Sequence, residues 1–231
     1  QSAGDAALRA NRIDNSGRLL AQGDLAADVA TAFSNTAIGT AQAGDQLAIR
    51  GAGAVVTNAE RGKLLGDGLD FDVASLDNAG VIQGGARNDT LITTSGALIN
   101  NGTGLLSVAT SASGAGTVSA GSTLSNVGTL QSAGALTLKL STGGFNNAGQ
   151  TIAGGDLTLQ SRDATGYYTA SIDGLLQSGG VLTVREGASS TLDVGGQGTV
   201  LGHRVDVAIG RVQLADGATL ASAEGMTLDL G

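Results

Sequence analysis

A parallel β-helix is the fold that this sequence predicts, on three observations. A short phrase recurs along the 231 residues, as in RIDNSGRLLAQGDLAADV (12–29), SLDNAGVIQGG (75–85), TLSNVGTLQSAGALTLKL (123–140) and GFNNAGQTIAGGDLTLQS (144–161). Glycine supplies 39 residues and proline none. Apolar and polar residues alternate in the closing half of each phrase, as around Leu136, Leu138 and Leu140.

The repeat comes first, because a fixed period of 20 to 50 residues decides the architecture. Its units open on Ile13, Phe33, Val56, Leu76, Leu98, Leu124, Phe145, Ile172, Leu192 and Val212, spaced 20 to 27 residues apart. That gives about ten coils, most of them 20–22 residues long, with the asparagine lost in the last units. One coil alone buries too few aliphatics to offset the ordering of its backbone, which costs about 1 kcal/mol or more per residue. Neighbouring coils supply the missing hydrogen bonds and cover the open faces, so each unit templates the next.

Within a unit, asparagine stands two residues after the opening apolar residue at Asn15, Asn35, Asn58, Asn78, Asn100, Asn126 and Asn147. Glycine follows at Gly17, Gly80, Gly102, Gly128 and Gly149. Both residue types accept positive φ readily, so the pair is read as a turn at a fixed place in every coil. Asn101 competes with Asn100 for that place in its unit. Stacked asparagines can also bond to one another along a ladder.

The closing half of a unit has period two, the signature of a strand with one buried face. Leu138, Leu157, Leu159 and Leu182 are expected to point inward, and Thr137, Thr158 and Thr183 outward. LAADVATAF (25–33) fits the same alternation through Leu25, Ala27, Val29, Thr31 and Phe33. The missing prolines agree, since proline lacks the N–H that a sheet interior requires. Two stretches lengthen their coils and are expected as loops outside the helix: the Ser/Ala/Gly-rich 107–121, and 161–171, SRDATGYYTAS.

Composition narrows the function. The net charge of −8 argues against nucleic-acid binding and against adhesion to anionic lipid. No apolar run reaches the length of a membrane span, so membrane insertion is not expected. Cysteine is absent, which removes disulfides and thiolate metal sites.

Candidate chemistry is sparse. His203, the single histidine, could in principle serve a hydrolytic triad, but a polar residue at a coil corner is the expected reading. GGARNDTL (84–91) resembles a calcium-binding nonapeptide, yet Arg87 stands where that motif has glycine, and it occurs once. Asp67, Asp70 and Asp72 offer oxygen ligands, although Asp70 and Asp72 flank Phe71 on an alternating strand and are expected to face solvent. No metal, cofactor or catalytic residue is assigned. A polysaccharide-degrading β-helix enzyme needs aromatic platforms; of two Tyr and three Phe, Phe33, Phe71 and Phe145 are read as core. Tyr167 and Tyr168, flanked by Arg162 and Asp163, form a possible contact loop. The competing reading packs one tyrosine on the coil flank.

LDNAGVIQ, FNNAGQTIAGGDLTL and VGTLQSAGALTLKL resemble the repeats of filamentous haemagglutinin and its relatives, the exoproteins of two-partner secretion that include contact-dependent growth-inhibition effectors. The resemblance covers residues 3 to 160 well and 172 to 231 loosely. It implies a right-handed β-helix rod, secreted to the surface of a Gram-negative bacterium through an outer-membrane transporter. It also implies adhesion to a receptor or glycan on a host or neighbouring cell, or presentation of a tip or toxin. The secretion domain of that family carries Asn-Pro motifs, and a chain without proline is not that domain. The expectation is a single structural segment, 1–231, cut from a longer rod. Both SAGDAALRA (2–10) and GMTLDLG (225–231) fall in the closing half of a unit. A directly binding segment, acting through loop 161–171, is the alternative.

Overall fold

A computed structural model describes residues 1–85, 90–163, 166–185 and 189–231. Among them the regular structure is entirely strand, every pairing is parallel, and the chain winds as about ten stacked coils. Each coil contributes to three faces. Face A carries the opening apolar residue and the asparagine. Face B is the short strand that follows, such as Arg18–Ala21 or Gln150–Ala153. Face C is the alternating segment, such as Ala135–Leu140 or Leu157–Ser161.

The register ties the sequence period to the coil. On face A, Ile13 pairs with Phe33, Phe33 with Val56, Val56 with Leu76, and so on through Leu98, Leu124 and Phe145. On face C, Leu138 pairs with Leu159, which pairs with Val184. Parallel strands stacked in register place like residues above like, so each inward position becomes a column. Leu138, Leu157, Leu159 and Leu182 are fully buried, whereas Thr137, Thr158 and Thr183 on the outer side are half-buried between their neighbours. Phe33, Phe71 and Phe145 are core residues.

Three expectations need correction. Ile172 does not open its unit: Phe145 pairs with Ala170, which in turn pairs with Leu192, and Ile172 pairs with Asn147. Without an asparagine in the unit, hydrophobicity alone selects the opening position, and the larger side chain misleads. Residues 107–121 are not a loop outside the helix. They form the ends of strands Leu105–Ala109 and Ala115–Ala120, with Val108 and Val118 in the core, and only the turn at 110–114 departs from the coil. Finally, strand Leu25–Asn35 has a register shift between Asp28 and Ala32, so Thr31 faces solvent, its hydroxyl donating to the Asn11 carbonyl at 2.8 Å.

The corners change along the rod. In the first four coils faces C and A are one bent strand, as in Gln46–Asn58. In the last three coils faces B and C are joined instead, as in Thr199–Ile209, with register shifts at the bend. Such bulges let a strand turn a corner without ending its ladder.

Candidate functional site

The corner between faces A and B holds the most distinctive chemistry of the molecule. All seven asparagines end their face A strands and point inward, each 5% exposed or less. The Nδ2 of each donates to the Oδ1 of the next: Asn15 to Asn35, Asn35 to Asn58, Asn58 to Asn78, Asn78 to Asn100, Asn100 to Asn126 and Asn126 to Asn147, every one at 2.8 Å. The second amide proton turns to the backbone of the corner, as from Asn78 to the Leu105 carbonyl and from Asn100 to the Thr129 carbonyl. A buried polar group is costly unless its bonds are made. Here the stack makes them for every member. Asn100, not Asn101, occupies the ladder; Asn101 sits outside and donates to Asp77.

The asparagines are therefore spine residues rather than positive-φ turn residues. Among described residues φ is positive only at Arg61, Gly85, Gly144 and Gly217. The glycines serve close approach instead. A Cβ on Gly128 would collide with the Gly104 carbonyl oxygen, and one on Gly149 with that of Gly128. The backbone bonds run down the same column, Thr129 N–H to Gly104, Gln150 N–H to Gly128 and Leu175 N–H to Gly149. Gly104 belongs to this column and Gly102 does not, since a Cβ there meets nothing closer than 3.8 Å. Two residues added to the corner carry the glycine from the second to the fourth place after the asparagine, a spacing shared by Asn35 with Gly39 and Asn58 with Gly62.

The ladder stops at Asn147, and Thr151 closes it. This buried hydroxyl, in a column with Leu130 above and Leu176 below, donates to Asn147 Oδ1 at 2.9 Å and lies 3.1 Å from Asn126 Nδ2. Asn147 Nδ2 donates to the Leu175 carbonyl at 2.8 Å. Beyond it the same position is filled by Ile172, Val194 and Leu214, paired in register.

Residues 161–171 divide between packing and surface. Tyr168 is fully buried, with its hydroxyl 3.0 Å from the Arg185 carbonyl and 3.2 Å from that of Leu159. Arg162 lies along the corner and donates from Nη1 to the Thr94 carbonyl at 2.7 Å. Tyr168 is therefore withdrawn from outside contact and Arg162 is half-buried, so of the four loop residues proposed for contact Asp163 and Tyr167 are the exposed ones. Tyrosine beside glycine reads as a protruding tip in a sequence; the room that this coil leaves for a ring is visible only in the fold.

The remaining candidates stand apart from one another. His203 is exposed at the corner between faces B and C, its Nε2 3.0 Å from Glu224 Oε1. Asp70 is ion-paired with Arg50, and the hydrogen bond between them raises the Arg50 pKa above its ordinary value. Asp72 faces solvent and Phe71 the core, as the alternation requires. Of GGARNDTL, residues 86–89, Asp89 among them, lie outside the described residues. Among the described residues no group of three His, Asp or Glu side chains is placed to hold a metal ion.

Comparison with protein families adds the deciding observation. The haemagglutinin repeat model matches residues 111–166 and 168–229, half of the chain. The chain belongs to the haemagglutinin repeat family. Comparison with curated proteins and with solved structures gave no match. The match includes the coils without asparagine, expected to resemble the family only loosely, and does not extend to residues 1–110, expected to resemble it well. What the coils without asparagine retain is the alternation of Leu182 with Val184 and of Val205 with Val207. Repeats of this family build secreted, adhesin-type surface proteins, and this β-solenoid is a structural stretch of that kind.

Proposed function

We propose that this chain is a length of shaft in a large exoprotein, holding an adhesive tip or a toxin away from the cell that secretes it. The reading rests above all on the continuous parallel ladders between the coils, shifted in register only at bulges, with one internal spine of side-chain hydrogen bonds running through seven of them. Such a stack resists bending and shear because every coil is hydrogen-bonded to the next on all three faces. Each coil advances the rod by one strand spacing, about 4.8 Å, so ten coils span about 50 Å. Export through an outer-membrane transporter of a Gram-negative bacterium, and engagement of a receptor or glycan, belong to this proposal and act through other parts of the exoprotein.

Removal of one whole coil from the parent exoprotein tests the reading. Deleting residues 126–146 joins Ser125 to Asn147 in register, because Ser125 pairs with Asn146 and Asn126 with Asn147. The shaft reading expects normal display and target binding, with reach shortened by one strand spacing. Deleting half of that stretch should abolish display. Loss of target binding by a normally displayed whole-coil deletion would overturn the reading in favour of direct recognition by this segment.

A further inference from the structure

Face B is the unusual surface of this molecule. From Val81 to Ala221 none of its described outward residues is charged, although the chain carries a net charge of −8. Face C presents Arg50, Asp72, Lys139, Arg185 and Asp229 on one outward column. Face B instead alternates amides and hydroxyls with half-buried aliphatics, Gln131 pairing with Ile152, which pairs with Gln177, followed by Leu201. Shallow hollows among the described residues open onto this face or its edges, and each includes a glutamine: Gln42, Gln131, Gln150 or Gln177. Beside one of them Val127 stands out, 52% exposed, over the hollow floored by Gly149.

We infer that face B is an interface between two copies of this chain, which pair side by side along their lengths. A surface that meets its own copy must be self-complementary. Glutamine and threonine meet that demand, because each carries both a donor and an acceptor and can bond its own kind. Two copies of a chain with a net charge of −8 repel overall, and an uncharged strip adds no like-charge contact where they meet. The area agrees with a reversible contact. The uncharged strip covers seven coils, so at about 13 Å wide and about 34 Å long it gives roughly 900 Å² over both partners, the size of a weak, transient interface. The pairing goes beyond the shaft reading, and a monomeric rod would leave that reading standing.

Sedimentation of the whole chain, from low micromolar to several hundred micromolar, tests the interface against a matched control. The wild type should pass from monomer to dimer as concentration rises, and added salt should strengthen the dimer by screening the rods' repulsion. Gln131→Glu/Gln150→Glu puts charge on face B and should leave a monomer throughout. Thr137→Glu/Thr158→Glu adds the same charge to outward positions of face C and should dimerise as the wild type does. Circular dichroism establishes that both variants fold. A wild type that stays monomeric at every concentration overturns the inference, as does equal weakening by both pairs of substitutions. So does binding of a neutral glycan by the monomer that the face B pair abolishes, because the strip then serves a sugar.

Discussion

The first seven coils and the last three solve one corner in two ways. Where the first seven stack a carboxamide, the last three stack Ile172, Val194 and Leu214. An aliphatic column needs only contact, and any member can be exchanged for another of similar size at modest cost. An amide column needs partners on both sides, so its members depend on one another. The ladder therefore fixes which residue stacks on which, whereas the aliphatic column tolerates slippage better. Slippage is the hazard of repetitive strands, whose register is otherwise weakly specified. Thr151 marks the junction of the two solutions: a hydroxyl in a leucine column, held there by the last amide.

Breaking the ladder in its middle should show the largest difference. Asn100→Leu leaves the donor of Asn78 and the acceptor of Asn126 without partners, and each buried orphan costs about 1–3 kcal/mol. The variant should lose about 3–5 kcal/mol of stability in thermal or denaturant unfolding. Val194→Leu, in the aliphatic column, should change stability by less than about 1.5 kcal/mol. Equal losses at the two sites would erase the distinction between the columns.

Shortening the ladder from its end should cost less. Asn147→Leu leaves the Asn126 donor and the Thr151 hydroxyl to find other partners, for a loss of about 1–3 kcal/mol. Adding Thr151→Val should recover part of that loss, since removing both members of a buried polar pair is cheaper than removing one. If the double variant is weaker than the single by the full independent cost of Thr151→Val, the two residues do not act together.

Two smaller effects bound the comparison. Tyr168→Phe removes one buried hydroxyl from two backbone carbonyls and should cost about 1 kcal/mol, measured by denaturant midpoint at unchanged slope. At the surface, Arg12 hydrogen-bonds Asp14 and holds its carboxyl below the ordinary carboxylate range. A lowered folded pKa means stability present above the unfolded value and lost as pH falls through the folded one. Because the pair is fully exposed, Asp14→Asn should leave the melting temperature unchanged at pH 7 and should only flatten the acid limb below about pH 4. A large shift at pH 7 would move weight from the buried amides to the outer charges.

How much of this was legible beforehand follows from the same physics. Faces A and C could be read because period two and a recurring asparagine are local signals, visible as Leu136, Leu138, Leu140 or as Asn78 beside Gly80. The inward aim of the asparagines was harder to read, since in isolation Asn-x-Gly has the chemistry of a turn and its ladder exists only between coils. The place of Ile172 was set by its partners Asn147 and Val194 in the adjoining coils, and the burial of Tyr168 by a pocket closed with the carbonyls of Leu159 and Arg185, which the local phrase does not display. The charge-free strip of face B emerges only when the short strands are laid one above another.

The side-chain amides of the asparagines offer the most direct test of the account. Hydrogen exchange of the Nδ2 protons, followed by nuclear magnetic resonance with each asparagine assigned, distinguishes spine from surface. The ladder predicts slow exchange for Asn35, Asn58, Asn78, Asn100 and Asn126, and fast exchange for the exposed Asn146 on the outer side of the same face. Exchange of Asn78 and Asn100 as fast as that of Asn146 would show that no buried ladder holds the coils in register.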